Sequence, residues 1–363
     1  MLKVKINSLL DYIQPTKYIV SSEEYSNEFN TPVLTAGDTF LLGYTNDKDG
    51  IYNASKHNPI ILFDDFTTAI KWVDFPFKVK SSACKIIVSK TKTNLRYCYY
   101  AMKAMNFDHL QHKRYWISEY SEQLINDYED ENSKIVAELD NITDTISKKE
   151  QVILNLDELI KSRFIEMFGH YFEDVCYFVK VGDIATATIG LTYKPDNVTD
   201  EGIIVLRSGN IQNAELCLSD DIVRVSNIRI KEDKFVREND ILMCSRNGSA
   251  RLVGKCCLIP KLNEQMSYGA FMTVIRSKYP YFLNGFFNST YFLQQLTGTQ
   301  TASVNQITTG MLNSYTVIKP SDTEENEFAE FVKLIDKSKF IVQKEIKDLQ
   351  ELLDKKMDEY FGQ

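Results

Sequence analysis

The stretch that decides the fold runs from Ile142 to Gly169, ITDTISKKEQVILNLDELIKSRFIEMFG. Ile142, Ile146, Lys149, Ile153, Leu156, Ile160, Arg163 and Met167 are spaced alternately four and three apart. That is the a/d pattern that turns one seam of an α-helix toward a partner helix. No proline or internal glycine interrupts the run, and Gly169 is placed to cap its C-terminus. A shift of 193 residues gives Ile335 to Gly362, IDKSKFIVQKEIKDLQELLDKKMDEYFG, with the apolar register intact. Ile142 falls on Ile335, Ile153 on Ile346, Leu156 on Leu349 and Leu159 on Leu352. A shared heptad matches apolar positions by itself, so the weight rests on Glu158 with Glu351, Glu166 with Glu359, and Phe168-Gly169 with Phe361-Gly362. The second seam reads Ile335, Val342, Ile346, Leu349 and Leu353, and its helix opens after Pro320 with Ser321-x-x-Glu324, a capping-box sequence.

Outward from the two helices lie two units of mixed character. Residues 1–117 carry short β-rich runs at Pro32–Leu34, Thr39–Leu42, Ile60–Phe63 and Lys85–Val88, separated by Ala36-Gly37-Asp38 and Asp47-Lys48-Asp49-Gly50 turns. Residues 170–320 carry similar runs at Gly202–Leu206, Ile222–Val225, Asp240–Cys244, Leu252–Ile259 and Phe271–Ile275, then a short helix over Tyr281–Leu296. The expected plan is a tandem duplication: globular unit 1–117, helix 118–169, globular unit 170–320, helix 321–363. The fold class is α+β, two mixed α/β units separated by two long antiparallel coiled-coil helices with a pseudo-two-fold internal repeat. Helices of about 35 residues span roughly 50 Å and would serve as a ruler between the units.

The 363 residues exceed the usual single domain, and 44% hydrophobic content with eight prolines and fifteen glycines excludes a disordered or collagenous chain. No stretch reaches the apolar length of a membrane span, and the start lacks the pattern of a secretory signal, so a cytoplasmic location is expected. The formal charge of −8 is unevenly spread. Residues 1–117 hold 15 basic against 11 acidic residues, 118–169 hold 5 against 13, 170–320 hold 15 against 14, and 321–363 hold 7 against 12. The acid sits in the helices, which leaves the two globular units free to present basic faces.

Enzyme chemistry finds no tools here. The chain has no Walker loop, dinucleotide fingerprint or nucleophile elbow. Asn58-Pro59-Ile60-Ile61 lacks the second proline and aromatic of a base-flipping methyltransferase and reads as a strand entry. Asp64-Asp65 lacks a following carboxylate–lysine partner and reads as a turn or strand end. The seven cysteines, without a C-x-x-C pair, read as reduced and mostly buried thiols, and the histidine pair His109 and His112 has no further ligand at metal spacing.

What the units do carry is loop chemistry suited to DNA. In the second, Arg207-Ser208-Gly209-Asn210 follows a strand, and Ser245-Arg246-Asn247-Gly248-Ser249-Ala250-Arg251 leaves one. Arginine and asparagine pair bidentately with guanine and adenine edges, and glycine lets the backbone approach phosphate. In the first, Thr67, Thr68, Lys78, Lys80, Ser81 and the His112-Lys113-Arg114-Tyr115-Trp116 segment offer hydroxyls, cations and aromatics. The candidate DNA-binding residues are thus Thr67, Thr68, Lys78, Lys80, Ser81, Lys113, Arg114, Arg207, Ser208, Asn210, Arg246, Asn247, Ser249 and Arg251.

Two variable units and two repeated helices, with Val33-Leu34-Thr35-Ala36-Gly37, Ile61 to Thr68, Phe77 to Ala83, Leu206-Arg207-Ser208-Gly209-Asn210 and Gly310 to Pro320 before an acidic helix, resemble the DNA specificity subunit of type I restriction-modification systems. The resemblance implies two target-recognition domains, each reading one half of a bipartite DNA site, and helices that set the gap. It implies a non-catalytic chain without a cofactor of its own. S-adenosylmethionine would belong to two partner modification subunits, and ATP and Mg²⁺ to partner restriction subunits. It makes the regions around Glu131-Asn132 and Glu325-Asn326 candidate docking surfaces. It also raises a contact between residues 1–11 and the end of the second helix, which no residue pattern marks independently. The rival reading is an interaction scaffold in which the coiled coil does the work and the units read no DNA.

Overall fold

The computed structural model of the chain describes residues 2–37, 39–90, 93–105, 107, 113–219, 221–226, 228–299 and 305–362. Asp38, His109 and His112 of the sequence reading lie outside them. The chain divides into two compact units, Met1–Glu150 with Lys344–Gln363, and Gln151–Gln343. Both long helices pass through the division, so each unit owns part of each.

In the first unit the order is β1 (Leu2–Lys5), α1 (Ile6–Leu9), β2 (Leu10–Ile13), β3 (Thr31–Leu34), β4 (Leu41–Thr45), β5 (Ile60–Asp64), β6 (Ile70–Val73), β7 (Lys78–Val79), β8 (Cys84–Ser89), α2 (Leu95–Ala104) and β9 (Leu124–Asp127), leading into α3 (Asn132–Phe168). One antiparallel sheet has the order β2-β8-β5-β6, and a second, β4-β3-β7, carries β3 parallel to β7. β1 pairs with β9. Strand β5 is buried at Ile60, Ile61, Leu62 and Phe63 because it is covered on both faces. Ile61 and Phe63 join Tyr97, Trp116, Tyr120 and Leu139 on one side, while Ile60 and Leu62 join Leu34, Phe77, Val79 and Ile86 on the other.

The second unit repeats this plan. Its elements are β10 (Phe178–Lys180), α4 (Val181–Ile184), β11 (Ala185–Ile189), β12 (Val198–Thr199), β13 (Ile203–Leu206), β14 (Ile211–Gln212), β15 (Glu215–Leu216), β16 (Arg224–Val225), β17 (Ile241–Cys244), β18 (Cys256–Leu258), β19 (Met266–Tyr268), β20 (Met272–Ser277), α5 (Pro280–Phe287), α6 (Thr290–Thr299), α7 (Thr309–Ser314), β21 (Thr316–Ile318) and α8 (Asp322–Phe361). The sheet β11-β20-β17-β18 corresponds strand for strand to β2-β8-β5-β6. β16-β13-β19, with its parallel β13–β19 pair, corresponds to β4-β3-β7. β10–β21 corresponds to β1–β9. Here too the central strand is covered on both faces: Ile241 and Met243 pack on one core, Leu242 and Cys244 on another.

The helix segments pair antiparallel within each unit. In the first, Glu138 meets Lys356 at 3.1 Å and Lys149 meets Glu345 at 2.7 Å. In the second, Arg163 meets Glu327 at 2.5 Å and Lys339 meets Asp157 at 2.5 Å. The two basic residues of the first heptad run, Lys149 and Arg163, therefore each pair with a glutamate of the other helix. Ile142, Ile146 and Ile335 are buried, and Ile153, Leu156, Ile160, Val342, Ile346, Leu349 and Leu353 are half-covered. The repeated phenylalanines do parallel work: Phe168 packs on Phe282 and Phe328, and Phe361 on Tyr97. Ile6 and Leu10 belong to the same first-unit core as Phe361, and Asn126 and Tyr128 both donate to the Tyr360 carbonyl, so the end of α8 is tied to the β9 segment that pairs with β1.

The capping box at Ser321 forms as read. The Ser321 amide donates to Glu324 at 2.8 Å and the Glu324 amide to Ser321 Oγ at 3.2 Å. Several readings need correction. The helix expected over 118–169 begins only at Asn132, because Leu124–Asp127 form strand β9 paired with β1. The helix over Tyr281–Leu296 is two helices, because Asn288 and Ser289 turn their side chains back onto the carbonyls of Asn284 and Phe286 and close α5. The strand over Leu252–Ile259 shortens to Cys256–Leu258, since Gly254 takes φ +91°, outside extended backbone. Gly169 is not a left-handed cap; the chain runs on into a 3₁₀ turn over Gly169–Glu173, where a Cβ would crowd Ile165 and the Tyr291 hydroxyl at 3.3 Å. The cysteines are free, five buried, Cys217 half-buried and Cys176 exposed. No helix among the described residues is long and apolar enough to cross a membrane.

Candidate nucleic-acid interface

Two main-chain hydrogen bonds build the same loop cluster in each unit. In the first, the Lys80 amide donates to the Leu34 carbonyl at 3.1 Å and the Asp65 amide to the Ala83 carbonyl at 2.8 Å. In the second, the Gly269 amide donates to Leu206 at 3.0 Å and the Ser245 amide to Phe271 at 2.9 Å. The loops after β3, β5 and β7, and those after β13, β17 and β19, are thereby drawn to one end of their unit. Apart from Lys78, which lies in β7, the residues picked for DNA chemistry lie on these loops or on the segment tied to them.

In the first unit Asp64 Oδ1 accepts from the Phe66 and Thr67 amides, both at 2.9 Å, and ends β5 in a turn where Thr68 takes φ +59°. Thr67, Lys80, Ser81 and Arg114 are exposed, with the Arg114 guanidinium 5.9 Å from the Phe66 ring centroid. Lys113 pairs with Glu119. The segment carrying both cations is fastened by the Tyr115 amide to the Asp65 carbonyl and by the Trp116 amide to Asp65 Oδ1, each at 2.9 Å. Asp65 is buried and faces the equally buried Lys85, whose Nζ lies 3.3 Å from Asp65 Oδ2 and 3.0 Å from Gln14 Oε1.

Lys78 does not belong to this surface as drawn. Its ammonium is buried, 2.8 Å from Asp47 Oδ2 and 2.8 Å from the Asp49 carbonyl, and spends its charge holding the 47–50 loop. The Lys78 bond, with help from the Ser21 hydroxyl and amide, holds the Asp47 carboxyl down at about 2. A depressed carboxylate stabilises the fold above its unfolded value and loses that contribution as pH falls through its folded value. The stability gap between wild type and Asp47→Asn should be constant above about pH 5 and close between about pH 4 and pH 2. Urea titrations at stepped pH measure it; a gap that widens on acidification would contradict the pairing.

In the second unit Arg207 is half-buried and ion-paired with Asp221. Asn210 is buried and structural: its Oδ1 accepts from the Arg207 amide at 2.9 Å and its Nδ2 donates to the Cys217 carbonyl at 3.3 Å. It shapes the loop rather than presenting an amide to a ligand. Asn247 Nδ2 donates to Ser208 Oγ at 3.2 Å and joins the two loops. Arg246, Ser249 and Arg251 are exposed; Arg246 is aimed by Gln306, whose Oε1 accepts at 2.9 and 2.5 Å, and sits 5.8 Å from the Phe271 ring. Gln306 and Phe271 escaped the sequence reading. The strand expected to open at Phe271 begins one residue later, at Met272, and leaves Phe271 exposed.

The docking candidates divide as well. Asn132 ties Asp127 and the Tyr128 amide at the head of α3. Glu325 is buried, its carboxylate accepting from the Tyr281 and Phe282 amides at 2.9 Å each, so it caps α5 and is closed to a partner. Asn326 beside it is exposed. Among the described residues no group of acidic, cysteine and histidine side chains could hold a metal.

No family model matches the chain. Over 193 residues it is 40% identical to the type I restriction enzyme EcoR124I/EcoR124II specificity subunit of Escherichia coli, covering 51% of this chain and 46% of that one. Over 158 residues it is 26% identical to the StySPI specificity subunit of Salmonella potsdam, covering 41% and 34%. The chain thus spans less than half the length of the curated relatives it matches. Among solved structures, the S subunit of a type I restriction-modification system from M. genitalium superposes with a TM-score of 0.56 at 15% identity, covering 99% of this chain and 96% of that one. A chain from a study of the assembly and conformational transition of the type I R-M system gives 0.53 at 12%, covering 99% and 97%. The chain resembles the specificity subunits of type I restriction enzymes, in sequence over about half its length and in fold over nearly all of it.

Proposed function

We propose that this chain is the DNA-recognition subunit of a cytoplasmic type I restriction-modification complex. Each loop cluster reads one half of a bipartite site in duplex DNA, and the antiparallel helices set the spacing between the halves. The observation that carries this reading is the recurrence of one loop cluster, on one topology, with different side chains in each unit, beside 40% identity to a specificity subunit. The chain is not itself an enzyme. Two modification subunits bring S-adenosylmethionine and methylate adenine; restriction subunits, where present, bring ATP and Mg²⁺. Outward-facing Leu154, Ile165, Leu334 and Phe340, all more than half exposed, support helix faces that receive the modification subunits.

With acidic helices and a net charge of −8, the chain alone should bind DNA weakly, and tight binding should need its modification partners. In the complex, affinity should fall steeply with salt through counterion release, and Arg251→Ala should lower the log–log slope by about 1 if that cation meets a phosphate. Fluorescence anisotropy on labelled duplexes across a salt series measures both. Salt-indifferent association, or tight sequence-specific binding by the chain alone, would speak for the scaffold.

A further inference from the structure

We infer that Phe271 is a base-reading residue of the second unit, contacting the 5-methyl group of a thymine in the half-site that this unit recognises; the inference rests on the function proposed above. Phe271 stands on the short turn between β19 and β20, closed by the Met272 amide donating to the Gly269 carbonyl at 2.8 Å. Its own carbonyl accepts three hydrogen bonds: from the Ser245 amide at 2.9 Å, the Arg246 amide at 3.0 Å and Ser245 Oγ at 3.0 Å. The backbone is therefore clamped while the ring is 59% exposed. A phenyl ring left mostly in water on a clamped backbone gains little for the fold. It stands instead among groups suited to base edges, with Arg246 beside it and Asn247 and Ser208 on the adjoining loops.

An apolar ring in a polar, cationic loop cluster matches the apolar feature of the major groove, the thymine methyl, which is read by apolar contact and not by a hydrogen bond. The first unit carries no ring at the equivalent position; its half-buried Phe66, beside Arg114, stands on a different loop. The carbonyl that takes the equivalent bond there, from Asp65, belongs to Ala83, which follows Ser82. At this position the two units should therefore read their half-sites differently.

The test uses the complex of this chain with its modification subunits and duplexes carrying the motif that the wild-type complex methylates. Thymines of each half-site are replaced one at a time by deoxyuridine, which removes only the methyl group. Wild type should lose roughly threefold to tenfold in methylation kcat/KM at one position of one half-site. Phe271→Ala should lose a similar factor on the thymine duplex and be indifferent to deoxyuridine there, with the other half-site unaffected. The exposed ring makes a folded variant the expected outcome, checked by an unchanged unfolding midpoint. Equal deoxyuridine sensitivity in wild type and Phe271→Ala, or no sensitivity in wild type, overturns the inference and leaves the function standing. A uniform loss on all sequences also overturns it, marking a wedge or backbone contact. Absence of any wild-type motif overturns both.

Discussion

Asp65→Ala should destabilise the first unit by about 3–5 kcal/mol, because it leaves the Lys85 ammonium buried without its countercharge. Both side chains are at most 2% exposed, so water cannot replace the lost partner. The same substitution removes the acceptor for the Trp116 amide. Lys85→Met should be costly too, and the double variant should cost clearly less than the two singles together, the signature of a coupled pair. Both tryptophans, Trp72 and Trp116, lie in the first unit, so tryptophan fluorescence during urea unfolding follows this region. Strict additivity would refute the coupling. The functional consequence follows from the same contacts: Asp65 fastens the segment bearing Lys113 and Arg114, so its loss should blur one half-site before the other.

Phe168→Ala should cost about 3–5 kcal/mol by emptying the centre of an aromatic cluster. Its ring is fully buried, with centroids of Phe164, Phe282 and Phe328 at 5.2, 4.9 and 5.6 Å. Hydrogen exchange should show protection lost across β17, β20 and α5, whose side chains share that core. Phe361→Ala should expose the first unit instead, through Tyr97 and the N-terminal Ile6 and Leu10. Unchanged protection in both variants would mean that the repeated Phe-Gly ends are incidental.

The helices were legible because a heptad is a long periodic signal, and because matched glutamates and a matched Phe-Gly terminus recur at one offset. The shared topology of the two units was not. Strands such as IILF at 60–63 and ILMC at 241–244 are covered on both faces, so they lack the alternation that fixes orientation and register, and their partners lie far along the chain. Loop chemistry was legible only as residue type. Lys78 and Asn210 have the right groups but turn them inward, and a sequence does not reveal that Asp47 or the Arg207 amide already claims them. Phe271 had the opposite fate: an apolar residue before an apolar run reads as core, and only the turn at Gly269 sets its ring in solvent.

As proposed, this chain chooses which DNA sequence its partners modify. Modified-base sequencing tests it directly, on DNA from cells expressing the modification subunit with this chain and from cells expressing that subunit without it. A bipartite N6-methyladenine motif, its two halves separated by a fixed gap, should appear only with the chain. Identical methylation in both, with the complex verified by co-purification, would contradict it and leave the chain a scaffold.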